Sequence, residues 1–178
     1  MVSALISSHL SNGELIGRVA LAVLLGACIG LERELSDQQA GLRTHISVAL
    51  GAALFGIISV AGFTAYETTR DATDYNIDPT RVASQVVVGI GFLGAGAIMK
   101  DGLRVKGLTT AASLWVMAAI GLAVGIGLYA AAIVSTVALL VALFGLRAPR
   151  RWLNRHFVRS KEDEDEHEEE VHSDGHRR

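Results

Sequence analysis

Apolar residues fall into five long runs separated by short polar segments. They cover residues 15–31, 46–63, 78–99, 109–124 and 128–146. A bilayer crossing takes about 20 predominantly apolar residues, with a range of about 17 to 25. Each run therefore predicts a transmembrane helix, and the chain reads as an all-α polytopic membrane protein with five crossings. Polar residues mark the boundaries. The stretch "SNGE" at 11–14 is a capping box in which Ser11 accepts from the Glu14 amide while Glu14 reaches back. Arg18, one turn inside, is expected to snorkel outward. In "DPT" at 78–80, Asp78 is a natural N-cap and Pro79 a natural first-turn residue. Thr109 or Thr110 would cap the fourth helix. The glycines of "GIG" at 125–127 would turn the chain into the fifth, because a merged helix of about 37 residues would overshoot any bilayer. Pro149 stops the last run. The opening "MVSALISSHL" lacks a basic segment and a cleavage site, so no removable signal peptide is predicted.

Composition sharpens this picture. Of 178 residues, 51% are hydrophobic and 19% charged, and mean hydropathy is +0.40. Eight of the 18 acidic residues lie between Glu162 and Glu170, so the five runs are more apolar than these averages indicate. The net charge of −2 averages an acidic tail with a basic stretch beside it and implies nothing about partners. Cys28, the single cysteine, cannot form an internal disulfide and reads as a small packing residue.

Lysine and arginine placement orients the chain. With five crossings, loops 32–45 and 100–108 share a side with the C-terminal segment. That side holds 11 basic residues: Arg33, Arg43, Lys100, Arg104, Lys106, Arg147, Arg150, Arg151, Arg155, Arg159 and Lys161. The opposite side has Arg70 and Arg81. This asymmetry places the C-terminus in the cytoplasm and the N-terminus outside.

The stretch "GIGFLGAG" at 89–96 contains the G-x-G-x-x-G spacing of dinucleotide-binding turns through Gly89, Gly91 and Gly94. The frame excludes that reading, since the glycines sit in an uncharged run and no acidic residue follows about 20 positions on. Close helix packing explains them better. Gly89 with Gly96, and Gly91 with Gly94, give the third helix two smooth faces. Gly26 and Gly30 in the first helix, and Gly121 and Gly125 in the fourth, permit similar approach. A leucine at Gly94 or at Gly96 is then expected to destabilise the fold. An unwound third helix whose bare carbonyls bind an ion is the sharper alternative.

Candidate functional side chains cluster on the cytoplasmic side. The loop "ERELSDQQAGLRTH" places Glu32, Arg33, Glu34, Asp37, Arg43 and His45 between two helices, and "KDGLRVKGLTT" adds Asp101 and three cations. Ion pairing that anchors helix ends accounts for such charges; a gate or docking surface is the functional reading. Thr109, Thr110, Ser113 and Trp115 lead inward from this mouth, where buried polar groups need partners or a solvated path, and Gln85 with Ser84 supplies polarity within the third helix. No nucleophile, base and oxyanion set is present, so an enzyme is not expected.

Four blocks, "GLERE" at 30–34, "AGLRTH" at 40–45, "GIGFLGAGAIM" at 89–99 and "GLTTAASLW" at 107–115, together resemble the MgtC/SapB family of bacterial inner-membrane proteins, across roughly residues 14–146. The resemblance implies a multi-pass protein connected with growth under magnesium limitation, acid and intracellular stress, and control of the membrane ATP synthase. Some members carry transporter-like descriptions. Glu32, Arg33, Glu34, Gly41, Leu42, Arg43, Gly94, Gly96, Thr109 and Trp115 fall on motif positions; some members have Asn at Thr109 and Cys at Val116. The implied function is a regulator or adaptor in magnesium homeostasis, with a Mg²⁺ or small-solute transporter or channel as the alternative. Implied partners are the lipid bilayer, another membrane protein such as ATP synthase, and a second copy in a dimer. Neither nucleic acid nor a cofactor other than Mg²⁺ is implied.

A membrane domain over residues 1–146 is thus followed by a basic juxtamembrane segment, 147–161, and an acidic tail, 162–178, in place of the soluble domain of the best-known members. The basic segment carries six cations with Trp152 and Phe157, suited to anionic lipid. The tail is acidic enough to be predicted disordered; its His167, His172 and His176 fix no metal geometry.

Overall fold

The computed structural model describes residues 11–69, 78 and 80–145, with 62–69 as backbone. The opening segment, Pro79, loop residues Arg70, Asp71 and Asp74 and the two-part tail lie outside the described residues, and the Glu67 side chain does too. The elements are α1 (Asn12–Leu35), α2 (Leu42–Thr69), α3 (Thr80–Gly96), β1 (Met99–Asp101), β2 (Arg104–Lys106), α4 (Leu108–Ile126) and α5 (Tyr129–Gly145). The chain divides into two compact units, Met1–Leu139 and Leu140–Arg178. Among the described residues, the second comprises the last turns of α5.

Among the described residues the fold is helical apart from the hairpin β1–β2, which the apolar pattern reads as loop. Met99, Lys100 and Asp101 pair antiparallel with Lys106, Val105 and Arg104. Gly102, at φ 60°, occupies the turn position where positive φ is needed. Three helices, Asn12–Leu35, Leu42–Ala61 and Leu108–Ile126, are long and apolar enough to cross a membrane. Thr80–Gly96 and Tyr129–Gly145 are apolar but have 17 residues each.

Local chemistry sets the helix ends. Ser11 caps α1, its Oγ accepting the Glu14 amide at 3.1 Å. The reciprocal half of the capping box does not form: the Glu14 carboxylate accepts from Arg18 at 2.5 Å. Arg18 does not snorkel. It is buried, donates to the carbonyl of Gly125 at 2.6 Å, and lies 5.9 Å from the ring centre of Tyr129. The carbonyls of the last helical turn lack partners within the helix, and a guanidinium satisfies one. α1 ends with the Asp37 amide on the Glu34 carbonyl and the Gln38 amide on the Arg33 carbonyl, a Schellman arrangement in which Asp37 takes the left-handed φ of 53°.

Asp78 caps α3 as expected, accepting from the Thr80 hydroxyl at 2.6 Å and the Thr80 amide at 2.9 Å. These bonds hold its carboxyl below the ordinary aspartate range, so the cap is intact above that range and lost as pH falls through the lowered value. The fourth helix departs from expectation. It begins at Leu108 behind Gly107, with no side-chain cap, and neither Thr109 nor Thr110 serves. Gly107 has φ 86°, and a Cβ there would collide with the Ala97 carbonyl where the hairpin closes. At the far end Gly127, not Gly125, makes the turn. It has φ 94°, and the amides of Gly127 and Leu128 close onto Val124 and Ala123.

Helix directions follow from the glycine contacts. Gly26 faces His45, Ile46 and Ala49, and Gly30 faces Leu42 and His45, so α1 and α2 run antiparallel. Gly121 meets Ala49 and Gly125 meets Ala53, so α2 and α4 run parallel. Gly94 approaches Ala111 across the hairpin, which makes α3 antiparallel to both. The core is built of small and medium side chains, with Ala22, Ala49, Ala53, Ile29, Met117 and Val124 fully buried. Between apolar helices in lipid, such close van der Waals approach replaces the hydrophobic drive.

Candidate functional site

One end of the α1–α2–α4 core contains a buried polar joint. Glu32 and Arg33, neighbours on α1, are both about 2% exposed at the side chain. Arg33 Nε donates to Glu32 Oε2 at 2.6 Å and its Nη2 to Oε1 at 3.1 Å, while the Ser36 hydroxyl adds a 3.1 Å bond to Oε1. The fork geometry uses both carboxylate oxygens, the arrangement in which an ion pair is strongest.

Glu34, on the outer face, bridges to the next helix. Its Oε2 accepts the Leu42 amide at 2.7 Å and so caps α2 from another element. This explains why α2 starts four residues before the apolar run that marks it. Gly41 makes room, because a Cβ there would lie 2.6 Å from that same Glu34 oxygen. Gly30 does likewise, since a Cβ would meet Leu42 Cα at 2.7 Å. "GLERE" and "AGLRTH" are therefore two halves of one joint.

His45 lies beneath it with no exposed surface. Its Nδ1 is 2.9 Å from the Gly41 carbonyl and its Nε2 is 3.1 Å from Ser113 Oγ on α4. A carbonyl only accepts, so Nδ1 carries hydrogen. A neutral ring then accepts the Ser113 hydroxyl at Nε2. A protonated ring donates there and leaves that hydroxyl to the Thr110 carbonyl, 2.8 Å away. Arg33 and Glu32 are both within electrostatic reach of the ring.

The other expected positions lie elsewhere. Arg43 and Thr109 are exposed, as is Trp115, at 51%. Asp101 pairs with Lys106 at 2.8 Å on the exposed hairpin. Asp37 terminates α1. Gln85 faces a groove between α2 and α3, apart from the joint. Gly26, Gly30, Gly121 and Gly125 make close interhelical approaches, whereas a Cβ at Gly89, Gly91 or Gly96 would meet nothing within 4 Å. The close packing expected at those three does not occur among the described residues: Gly89 lines an open groove between α2 and α3, and nothing approaches Gly91 or Gly96. Gly94 makes only ordinary contact with Ala111, 3.7 Å from an added Cβ. Thr110 is buried beside Ser113 as the inward reading of that helix expects, Arg18 is buried where snorkelling was expected, and Gly56 is the residue that sequence reasoning missed. Gly56 faces the Leu122 carbonyl and the backbone of Gly125, and only its place in the small-residue spacing of α2 pointed to it.

Among the described residues, no group of three or more His, Cys, Asp or Glu is placed to hold a metal ion.

The MgtC family model matches residues 19–152. The chain is 44% identical over 134 residues to Protein MgtC of Salmonella typhimurium, covering 75% of this chain and 53% of that protein. It is 43% identical over 132 residues to "Putative magnesium transporter YhiD" of Escherichia coli, covering 74% and 60%. It is also 43% identical over 145 residues to an uncharacterized protein of Synechocystis, covering 82% and 57%. The chain thus spans little more than half the length of these relatives. No solved structure matches. Four motif blocks, two of them joined through Glu34, a family match across all the described helices but the start of α1, and three helices able to cross a bilayer lead to one conclusion: the chain is a membrane protein belonging to the MgtC family.

Proposed function

We propose that the chain is a regulator or adaptor in magnesium homeostasis that acts through contacts with other proteins of the bacterial inner membrane, and is neither an enzyme nor a conduit. The observation that carries this reading is the closed state of the polar joint. Glu32, Arg33, His45, Thr110 and Ser113 are each 3% exposed or less; Arg33 bonds Glu32, and Ser113 bonds His45 and the Thr110 carbonyl. A conduit needs polar groups that face a hydrated route. Here Glu32 and Arg33 pair with each other within α1 while His45 ties α2 to α4, and the helix exteriors are left for partners. The connection with magnesium rests on the family and on the name of the Escherichia coli relative, which also keeps transport as the second reading. Vesicles holding the purified chain are expected to take up Mg²⁺ no faster than empty vesicles. Saturable uptake that depends on the chain would overturn the regulator reading in favour of transport.

The same reading places five crossings in the membrane, with the N-terminus outside and the C-terminus cytoplasmic. Helix direction supports it: α2 and α4 run parallel with α3 crossing back between them, and 11 basic residues gather on the side of the joint against two opposite. At 17 residues, α3 and α5 sit at the short end of the spanning range, about 17 to 25. A phosphatase reporter active only outside the cytoplasm should stay silent when fused after residue 161 and be active in the 70–77 loop. The reverse pattern would invert the topology.

A further inference from the structure

We propose that the groove between α2 and α3 binds a single anionic phospholipid, its phosphate held at Arg81 and its acyl chains laid along α3 toward Leu93. This rests on the bilayer-spanning reading and is independent of whether the chain regulates or transports. The groove has a volume of about 870 Å³. Its α3 wall includes the row Arg81, Gln85, Gly89 and Leu93, spaced four residues apart, beside an apolar row from Val82 to Ile90, and buried Ala52 and Ala118 line its floor. From Arg81 to Leu93 the helix rises about 18 Å, close to the roughly 15 Å of one leaflet's hydrocarbon. The missing side chain at Gly89 leaves the space that the chains would fill.

The polar end selects the occupant. Among the described residues, neither the Arg81 guanidinium nor the Gln85 carboxamide has a hydrogen-bond or ion-pair partner. Asp78 acts on Arg81 through space but makes no bond to its guanidinium; an unpaired amide at the membrane is costly, and so is a cation whose donors are unmatched. A phospholipid answers both: its phosphate pairs with Arg81, and its ester carbonyls, one turn deeper, accept from Gln85. A second copy fits less well. A two-fold axis along the membrane normal would bring two Arg81 side chains to the same depth, like charge near like charge.

The test uses the full chain, stripped of lipid in detergent and titrated with phosphatidylglycerol or phosphatidylcholine while retained lipid is counted by native mass spectrometry. One phosphatidylglycerol should be retained, with about a fivefold preference over phosphatidylcholine, the ratio expected of one cation at a lipid surface. Arg81→Gln should erase the preference, and Gly89→Leu should lower retention of both lipids. Gly96→Leu, also in open space, should change neither. Equal retention of the two lipids by the wild-type chain would overturn the proposal, as would undiminished retention in Gly89→Leu. A lipid-free dimer cross-linked through Gly89→Cys would overturn it too, by giving the groove to a second copy.

Discussion

Gly121→Leu and Gly125→Leu should each eliminate the folded chain in detergent. Even a Cβ at Gly121 would collide with the Ala49 carbonyl, and one at Gly125 with the Ala53 carbonyl. In both cases the obstacle is backbone of α2, which cannot rotate away as a side chain can. Overpacking a well-filled core typically costs about 1–3 kcal/mol, and here leucine requires α2 and α4 to separate along their shared seam. That separation would remove the Gly56 contact one turn further on and stretch the His45–Ser113 bond between the same helices. Gly121→Ala should already lower the melting temperature. Gly96→Leu should melt as the wild type, because nothing lies within 4 Å of the added Cβ. Thermal unfolding in detergent with a size-exclusion profile reads all of these. A Gly121→Leu chain that melts normally would show that α2 and α4 do not approach this closely.

That contrast marks how far the sequence could be read. Periodicity and apolar length located five helices, because both are local properties of the chain. Cap chemistry was legible at Ser11 and Asp78, where the bonded groups lie two or three residues apart. It failed at Leu42, whose amide is capped by Glu34 eight positions earlier, and at Leu108, where Gly107 is held by closure of the hairpin. Arg18 was misread for the same reason: its partner, Gly125, is 107 residues away. Glycine spacing shows which faces are smooth and does not show which have a neighbour. "GIGFLGAG" is the denser pattern, yet the tight seams form at glycines spaced along α1 and α4. The polar joint was half legible. Glu32, Arg33, His45 and Ser113 were identifiable as candidates, but what distinguishes them from exposed Arg43 and Asp101 is burial, which tertiary packing decides.

Among single substitutions within the joint, Glu32→Ala should be the most damaging. It leaves the Arg33 guanidinium about 2% exposed, stripped of both of its bonds to the carboxylate. Removing one member of a buried ion pair costs about 3–5 kcal/mol, because the survivor is left buried and unpaired. The converse change, Arg33→Ala, should cost less. The Glu32 carboxylate would keep its bond from the Ser36 hydroxyl, and a carboxyl can take up a proton, whereas arginine stays charged at any accessible pH. The double substitution Glu32→Met with Arg33→Leu removes both charges while retaining bulk, and replacing a buried pair in this way is often neutral for stability. It should therefore recover most of the melting temperature lost in Glu32→Ala. Growth under magnesium limitation then divides two roles for the pair. If the double variant folds and supports growth, the pair is structural only. If it folds and growth fails, the charges themselves act in regulation. Wild-type melting of Glu32→Ala would refute the buried pair itself, since it would mean that water reaches Arg33.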